Sequence, residues 1–254
     1  MKQDYPILEY DPTRKALIEP SDLIKPEDIP ERGVICFFQE VLTSLIERGL
    51  LTKVSSTKSE IGEHIFYGLE MQGQRLTVFH PGVGAPLGAG LLEEAIAKGV
   101  RRFIACGGAG VLNREIAVGH VVIPTSAVRD EGTSYHYLPP SREVTPSEIA
   151  TAAIVRTLKR HDVPYVEGKT WTTDAFYRET PNKIALRREE GCLTVEMEAA
   201  AFFAVARFRN VVFGQILYGG DDVSGETWDS RTWNARTSVR EKLFWLAAEA
   251  CLEL

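Results

Sequence analysis

The stretch that decides the fold is Leu76-Thr77-Val78-Phe79-His80-Pro81-Gly82-Val83-Gly84-Ala85-Pro86-Leu87-Gly88-Ala89-Gly90, with its continuation through Leu91–Gly99 and Arg102-Phe103-Ile104-Ala105-Cys106-Gly107-Gly108-Ala109-Gly110. Leu76–Phe79 is a short apolar run that reads as a strand. It passes into a loop holding Gly82, Gly84, Gly88 and Gly90. Leu91, Leu92, Ala95 and Ile96 then fall on one helical face, with Gly99 as the stop. Arg102–Cys106 is a second strand, ending in the small residues Gly107–Gly110.

The same alternation extends in both directions. Val34-Ile35-Cys36-Phe37-Phe38 is a compact apolar run, a buried strand or the start of a helix. From Gln39 to Arg48 the residues Val41, Leu42, Leu45 and Ile46 keep helical spacing, and Gly49 ends it. Val121-Val122-Ile123 is a third strand. Thr145-Pro146-Ser147-Glu148 predicts a helix start with Thr145 as N-cap and Glu148 closing a capping box, so that Ile149, Ala153, Ile154 and Leu158 face inward. Strands near Tyr165–Thr173 and Val211–Leu217 follow, separated by helical stretches at Lys183–Glu189 and Glu196–Arg207, and a last helix runs from about Thr232 to Leu252. The alternation predicts an α/β fold: a single domain over residues 1–254 with a mixed central β-sheet covered by helices.

Composition narrows the function. A net charge of -6, with positive charge clustered no further than the pairs Arg101-Arg102 and Arg187-Arg188, argues against a nucleic-acid partner. No apolar run approaches the ~20 residues that span a bilayer, and the N-terminus lacks the apolar core of a signal peptide, so no membrane partner and a cytoplasmic location are expected. Cys36, Cys106, Cys192 and Cys251 stand far apart in apolar stretches and read as buried structural thiols. His64, His80, His120, His136 and His161 show no ligand spacing, so no metal is expected.

Ligands of α/β sheets bind beyond the carboxyl ends of strands. That rule selects Gly82–Gly90, Gly107–Gly110 and Gly219-Gly220-Asp221-Asp222. The first two are either anion-binding backbone or tight turns. In the third, the aspartates either serve a ligand or cap the next turn. Val195-Glu196-Met197-Glu198-Ala199-Ala200-Ala201 sets two glutamates in an apolar helix start. A buried carboxylate needs hydrogen-bond donors, which the paired hydroxyls of a sugar supply; the other reading is that the glutamates favour the helix N-terminus and stay wet.

Four of these stretches, His80-Pro81-Gly82-Val83-Gly84-Ala85-Pro86, Gly107–Gly110, Val128-Arg129-Asp130-Glu131-Gly132-Thr133-Ser134 and Val195-Glu196-Met197-Glu198, stand in an order that resembles the nucleoside phosphorylase family, which includes hexameric purine nucleoside phosphorylases, uridine phosphorylases and methylthioadenosine nucleosidases. The similarity covers the chain from about Leu17 onward. It implies that Glu198 accepts hydrogen bonds from the ribose 2′- and 3′-hydroxyls, with Met197 packing on the sugar and Glu196 beside it. It implies that Phe176 stacks on the base, that Asp222 hydrogen-bonds or protonates the leaving base, and that Gly84 and Gly108 line the anion side. No metal or organic cofactor is implied, only inorganic phosphate as co-substrate, and the family's habit is a homo-oligomer, a dimer or trimer of dimers.

The departures bear on the reaction. Family phosphorylases usually carry Gly-Asp-Pro-x-Arg near the N-terminus; the corresponding run here is Pro20-Ser21-Asp22-Leu23-Ile24-Lys25, which leaves Ser21 and Lys25 to hold phosphate, lysine lacking the bidentate fork. The family's phosphate-binding arginine is replaced by Ala105, the loop serine or threonine by Gly108, and Ser59–Glu63 offers no arginine for a neighbouring subunit. The uracil-reading glutamine and arginine are not evident in Arg178–Asn182. The resemblance therefore implies first a phosphorylase of a purine nucleoside, releasing base and ribose 1-phosphate. A nucleosidase with a decayed phosphate site, a uridine phosphorylase and a non-catalytic nucleoside-binding protein are the other readings.

Overall fold

A computed structural model describes residues 2–254. Its elements are α1 (Pro20–Leu23), β1 (Arg32–Cys36), α2 (Gln39–Glu47), β2 (Leu51–Ser59), β3 (Gly62–Met71), β4 (Gln74–Phe79), α3 (Ala85–Lys98), β5 (Arg102–Val111), β6 (Val121–Asp130), β7 (Glu143–Val144), α4 (Glu148–Arg160), β8 (Tyr165–Thr173), α5 (Pro181–Glu189), β9 (Cys192–Glu196), α6 (Ala199–Arg209), β10 (Val212–Asp222) and α7 (Thr237–Leu252). The strands form one mixed sheet in the order β10-β6-β8-β9-β5-β1-β4-β3-β2, with β7 on β6. β10 also pairs with β5, so β5, β10, β6, β8 and β9 close into a ring. β1, β4, β3 and β2 extend from β5 as an open wing.

The central strands read as unbroken apolar runs because both of their faces are covered. Val34, Cys36, Ile104 and Cys106 pack with Leu42 and Leu45 of α2, Ile154 and Leu158 of α4, and Phe244 and Ala247 of α7. Their neighbours Ile35, Phe103 and Ala105 point the other way, to Leu92 and Ala95 of α3 and Phe202 and Phe203 of α6. The expected mixed sheet covered by helices is what the chain forms.

Several boundaries differ from the sequence reading. β5 continues through Gly107–Gly110 to Val111, and β10 through Gly219–Asp222, so these small residues are strand and not loop. Glu196 ends β9, and the helix begins only at Ala199. The final helix starts at Thr237. The β2–β3 hairpin carries a largely polar, half-exposed sequence that gave no strand signal. The expected capping box at Thr145 does not form. Ser147 is the N-cap of α4, and its backbone N–H and Oγ are engaged by the carbonyl and N–H of Phe213 at 2.9 and 3.0 Å. Thr145 Oγ1 instead accepts from Arg207. This tie to β10 turns Ala150 inward and leaves Ile149 exposed, whereas Ala153, Ile154 and Leu158 are buried as expected.

Candidate active site

One edge of β5 changes partner partway along. It pairs parallel with β1 as far as Cys106, then antiparallel with β9 from Gly110. Between these points the neighbouring strands separate, which is the kind of switch point where α/β proteins bind ligands. A cleft of ≈ 1840 Å³ opens there, lined by Gly108 and Gly110 of β5, Glu196 at the end of β9 and Met197 after it, Asp221 of β10, and Phe176 and Glu179 after β8. Packing along β5 is close: a Cβ on Gly107 would meet the Phe37 ring at 3.0 Å, and one on Gly108 the Tyr218 ring at 3.1 Å, so a larger residue needs those rings to shift.

Glu196 and Glu198 do different work. Glu196 Oε2 accepts the backbone N–H groups of Glu198 and Ala199 at 2.7 and 2.6 Å, and its Oε1 accepts from Thr172 Oγ1 at 2.6 Å. Thr172 Oγ1 in turn accepts from the N–H of Ala200 at 2.9 Å. The free donors at the start of α6 are thereby satisfied. Burial pushes the Glu196 carboxyl up, although these donors oppose the effect. Glu198, only 5% exposed, reaches across to the start of α3, where its Oε1 accepts the Gly84 N–H at 2.5 Å. Gly84 has φ +92°, a conformation that suits glycine. Glu198 thus sits between the N-termini of α3 and α6. Burial first, and the charge of Glu196 second, push it up to about 8.

The other end of the cleft is aromatic and acidic. Phe176 is half exposed and its ring centroid lies 4.0 Å from that of Tyr177. Asp221 lines the cleft, and its Oδ2 accepts from Trp228 Nε1 at 2.7 Å. Asp222, the residue read from the resemblance as the acid at the base, is not among the cleft-lining side chains. Its Oδ1 accepts the Ser224 N–H at 2.8 Å, and its Oδ2 accepts from Arg231 Nη2 at 2.6 Å. It closes an Asx turn at the end of β10, which is the capping alternative left open by the sequence. Burial alone would raise Asp222, but the Ser224 and Arg231 contacts outweigh it and hold the carboxyl low. Glu179, Arg114 and Arg188 also line the cleft and were not singled out in the sequence; a signal for Glu179 is its spacing of three residues from Phe176.

The four residues read as the phosphate site do not come together. Gly108 lines the cleft and Gly84 lies beside Glu198. Ser21 and Lys25 are exposed on the segment held to the far half of α3, between the Glu19–Arg209–Glu93 ion pairs and the Glu27 N–H bond to Lys98. Glu93 is about 14 Å along the helix from Gly84 at 1.5 Å per residue. Arg129, the basic residue of the Val128–Ser134 stretch, spends its guanidinium on Ser134, Ser141 and the carbonyls of Leu138 and Pro139. Among the described residues, no group of three or more His, Cys, Asp or Glu is placed to hold a metal ion, and no helix is long and apolar enough to cross a membrane.

Fold and cleft together describe an α/β protein with a cleft at a strand switch, lined by Glu196 and by the rings of Phe176, Tyr177, Trp228 and Trp233. Residues 31–244 match the phosphorylase superfamily, and the chain belongs to that family. It is 32% identical over 154 residues to a guanosine phosphorylase of Halorubrum lacusprofundi and 31% identical over 166 residues to a uridine phosphorylase of Treponema pallidum. Each match covers 61% of this chain and 64% of the relative, so the chain spans under two thirds of the length of these relatives. The fold is that of the uridine phosphorylase from Vibrio fischeri, with a TM-score of 0.75 and 22% identity over 91% of this chain and 95% of the other.

Proposed function

We propose that the protein cleaves the N-glycosidic bond of a purine nucleoside and transfers the ribosyl group to phosphate. The observation that carries this reading is Glu198, a buried carboxyl that follows the cleft-lining Glu196 and Met197 in the chain and whose protein donor is the Gly84 N–H. Two vicinal hydroxyls complete its hydrogen bonding as no apolar ligand does. Met197 packs on the sugar, Glu196 holds the helix start from which Glu198 projects, and Phe176 stacks on the base. Asp221 takes the place assigned from sequence to Asp222, because it is the aspartate of the pair that faces the cleft. With the sugar held in place, the C1′–N bond breaks through a ribosyl cation-like transition state; its electron pair stays on the base, and a phosphate oxygen bonds to C1′. The relatives named as phosphorylases support phosphate as the acceptor.

A hydrolytic reading is favoured by one observation: Ser21 and Lys25 lie along the far half of α3, and Phe37 occupies the ground beside Gly107. The deciding experiment incubates the protein with purine and pyrimidine nucleosides, with and without phosphate, and identifies the sugar product. Phosphate-dependent ribose 1-phosphate is the expected result, free ribose establishes hydrolysis, and no cleavage of any nucleoside refutes both readings. As in the family, we take the working form to be a homo-oligomer.

A further inference from the structure

The base end of the cleft contains a second carboxyl that the reading above does not use. Residues Phe176–Arg178 form a single tight turn closed by Arg178 N–H on Ala175 O and Glu179 N–H on Phe176 O, at 2.7 and 3.3 Å. The turn returns the chain so that Glu179 lines the same cleft as Phe176 and Asp221. Thr180, the N-cap of α5, and Pro181, its first residue, fix the position from the other side. The Glu179 carboxyl is partly buried and has no hydrogen-bond partner among the described residues, while Asp221 already accepts from Trp228.

We propose that Glu179 is the proton donor to the departing base, working as a dyad with Asp221. The proposal rests on the nucleoside-cleaving reading above. As the C1′–N bond breaks and its electron pair moves to the base, the Glu179 proton forms the new base N–H. Phosphate adds to C1′ and sheds its own proton to solvent, and Glu179 recovers a proton from solvent for the next turnover. Asp221 supplies the negative charge that keeps Glu179 protonated. Burial first and Asp221 second push Glu179 up to about 7, where a carboxylic acid is matched to proton transfer near neutrality. The remaining charged groups lining the cleft are Arg114, Arg188, Glu196 and Glu226. Both arginines lie against the Ser224–Gly225 turn, and Glu196 is engaged by the start of α6.

The test compares guanosine with 7-methylguanosine, whose cationic base departs without being protonated. In the wild type, kcat/KM on guanosine should fall as pH rises through about 7. Glu179→Gln should lower kcat on guanosine about 100-fold with KM little changed, abolish that falling limb, and keep most activity on 7-methylguanosine. Glu179→Asp should keep a falling limb, and Asp221→Asn should move it to lower pH by removing the neighbouring charge. Thermal unfolding of each variant separates loss of chemistry from loss of fold. Equal losses on both nucleosides in folded Glu179→Gln, or an unchanged falling limb, would overturn the proposal while leaving the nucleoside reading intact. A wild type that cleaves neither nucleoside and no other in the panel removes that reading, and the dyad with it.

Discussion

Glu198 holds a carboxyl where burial and Glu196 both oppose its charge, pushing it up to about 8 from an ordinary value of 4.5. Between those two values the unfolded chain has released a proton that the folded chain keeps, so the folded state loses stability as pH rises across that window. Glu198→Gln keeps an acceptor for the Gly84 N–H and removes the titration. The variant should unfold near the wild-type temperature at pH 4.5 and several degrees higher at pH 8, a difference on the order of 2–4 kcal/mol. Its kcat/KM should be at least about tenfold lower above pH 8, where the wild type offers the sugar hydroxyls an ionised carboxylate and the amide offers a single neutral acceptor. Calorimetry across pH checks the first statement, and a stability difference that does not grow with pH contradicts it. The sequence placed both glutamates at an apolar helix start but left open whether they meet a ligand or only favour the helix N-terminus. The answer depends on Thr172 and Gly84, each contributed by a distant segment. Asp221 and Asp222 were equally opaque. Neighbouring strand residues face opposite sides, and a register shift between Gly219 and Asp222 breaks the alternation that would have told them apart.

Glu179 and Phe176 belong to a segment, Asp174–Glu189, whose seat is Asp130 at the end of β6. Asp130 Oδ2 accepts from Trp171 Nε1, Lys183 Nζ and Arg187 Nη2 at 3.0, 2.9 and 3.0 Å. Burial alone would raise Asp130; Lys183 and Arg187 outweigh it and hold the carboxyl below its usual range. Its contribution to stability is therefore present above the unfolded value near 3.8 and is lost as pH falls through the lower folded one. Asp130→Asn should cost about 1–3 kcal/mol at pH 7, with Arg187 left buried and only Glu190 as its carboxylate partner. Because α5 carries Ile184, Ala185 and Arg188 into the cleft wall, KM should rise more than kcat falls. Urea unfolding and steady-state kinetics test this together, and a variant with wild-type stability would show that the segment is seated elsewhere. In the sequence this stretch was visible as Val128–Ser134 and as a helix near Lys183, each read separately. The ion pairs that join them link residues more than fifty positions apart, beyond the reach of local patterning.

The architecture was legible because both faces of the sheet are covered and each central strand therefore stands out as an apolar run between helices. Closure of the ring was not, since an apolar run marks a buried strand without naming its partners, and β10 pairs with both β5 and β6. The positions of Ser21 and Lys25 were opaque for a related reason. Order along the chain put Ser21 and Lys25 ahead of β1, but the fold lays them along the wrong half of α3 for Gly84. The same N-terminal segment leaves Leu17, Ile18 and Leu23 exposed around the buried Glu19 anchor. Apolar side chains grouped in this way on a surface mark a contact face, and a second copy of the chain is the cover we expect. Light scattering should then give a mass that is a multiple of 28.2 kDa. The double variant Leu17→Glu/Leu23→Glu should lower that mass while the Glu19–Arg209 and Glu93–Arg209 ion pairs keep the segment seated and the fold intact. A wild-type mass of 28.2 kDa at micromolar concentration would exclude the oligomer. An unchanged multimer in the double variant would instead move the contact to another surface.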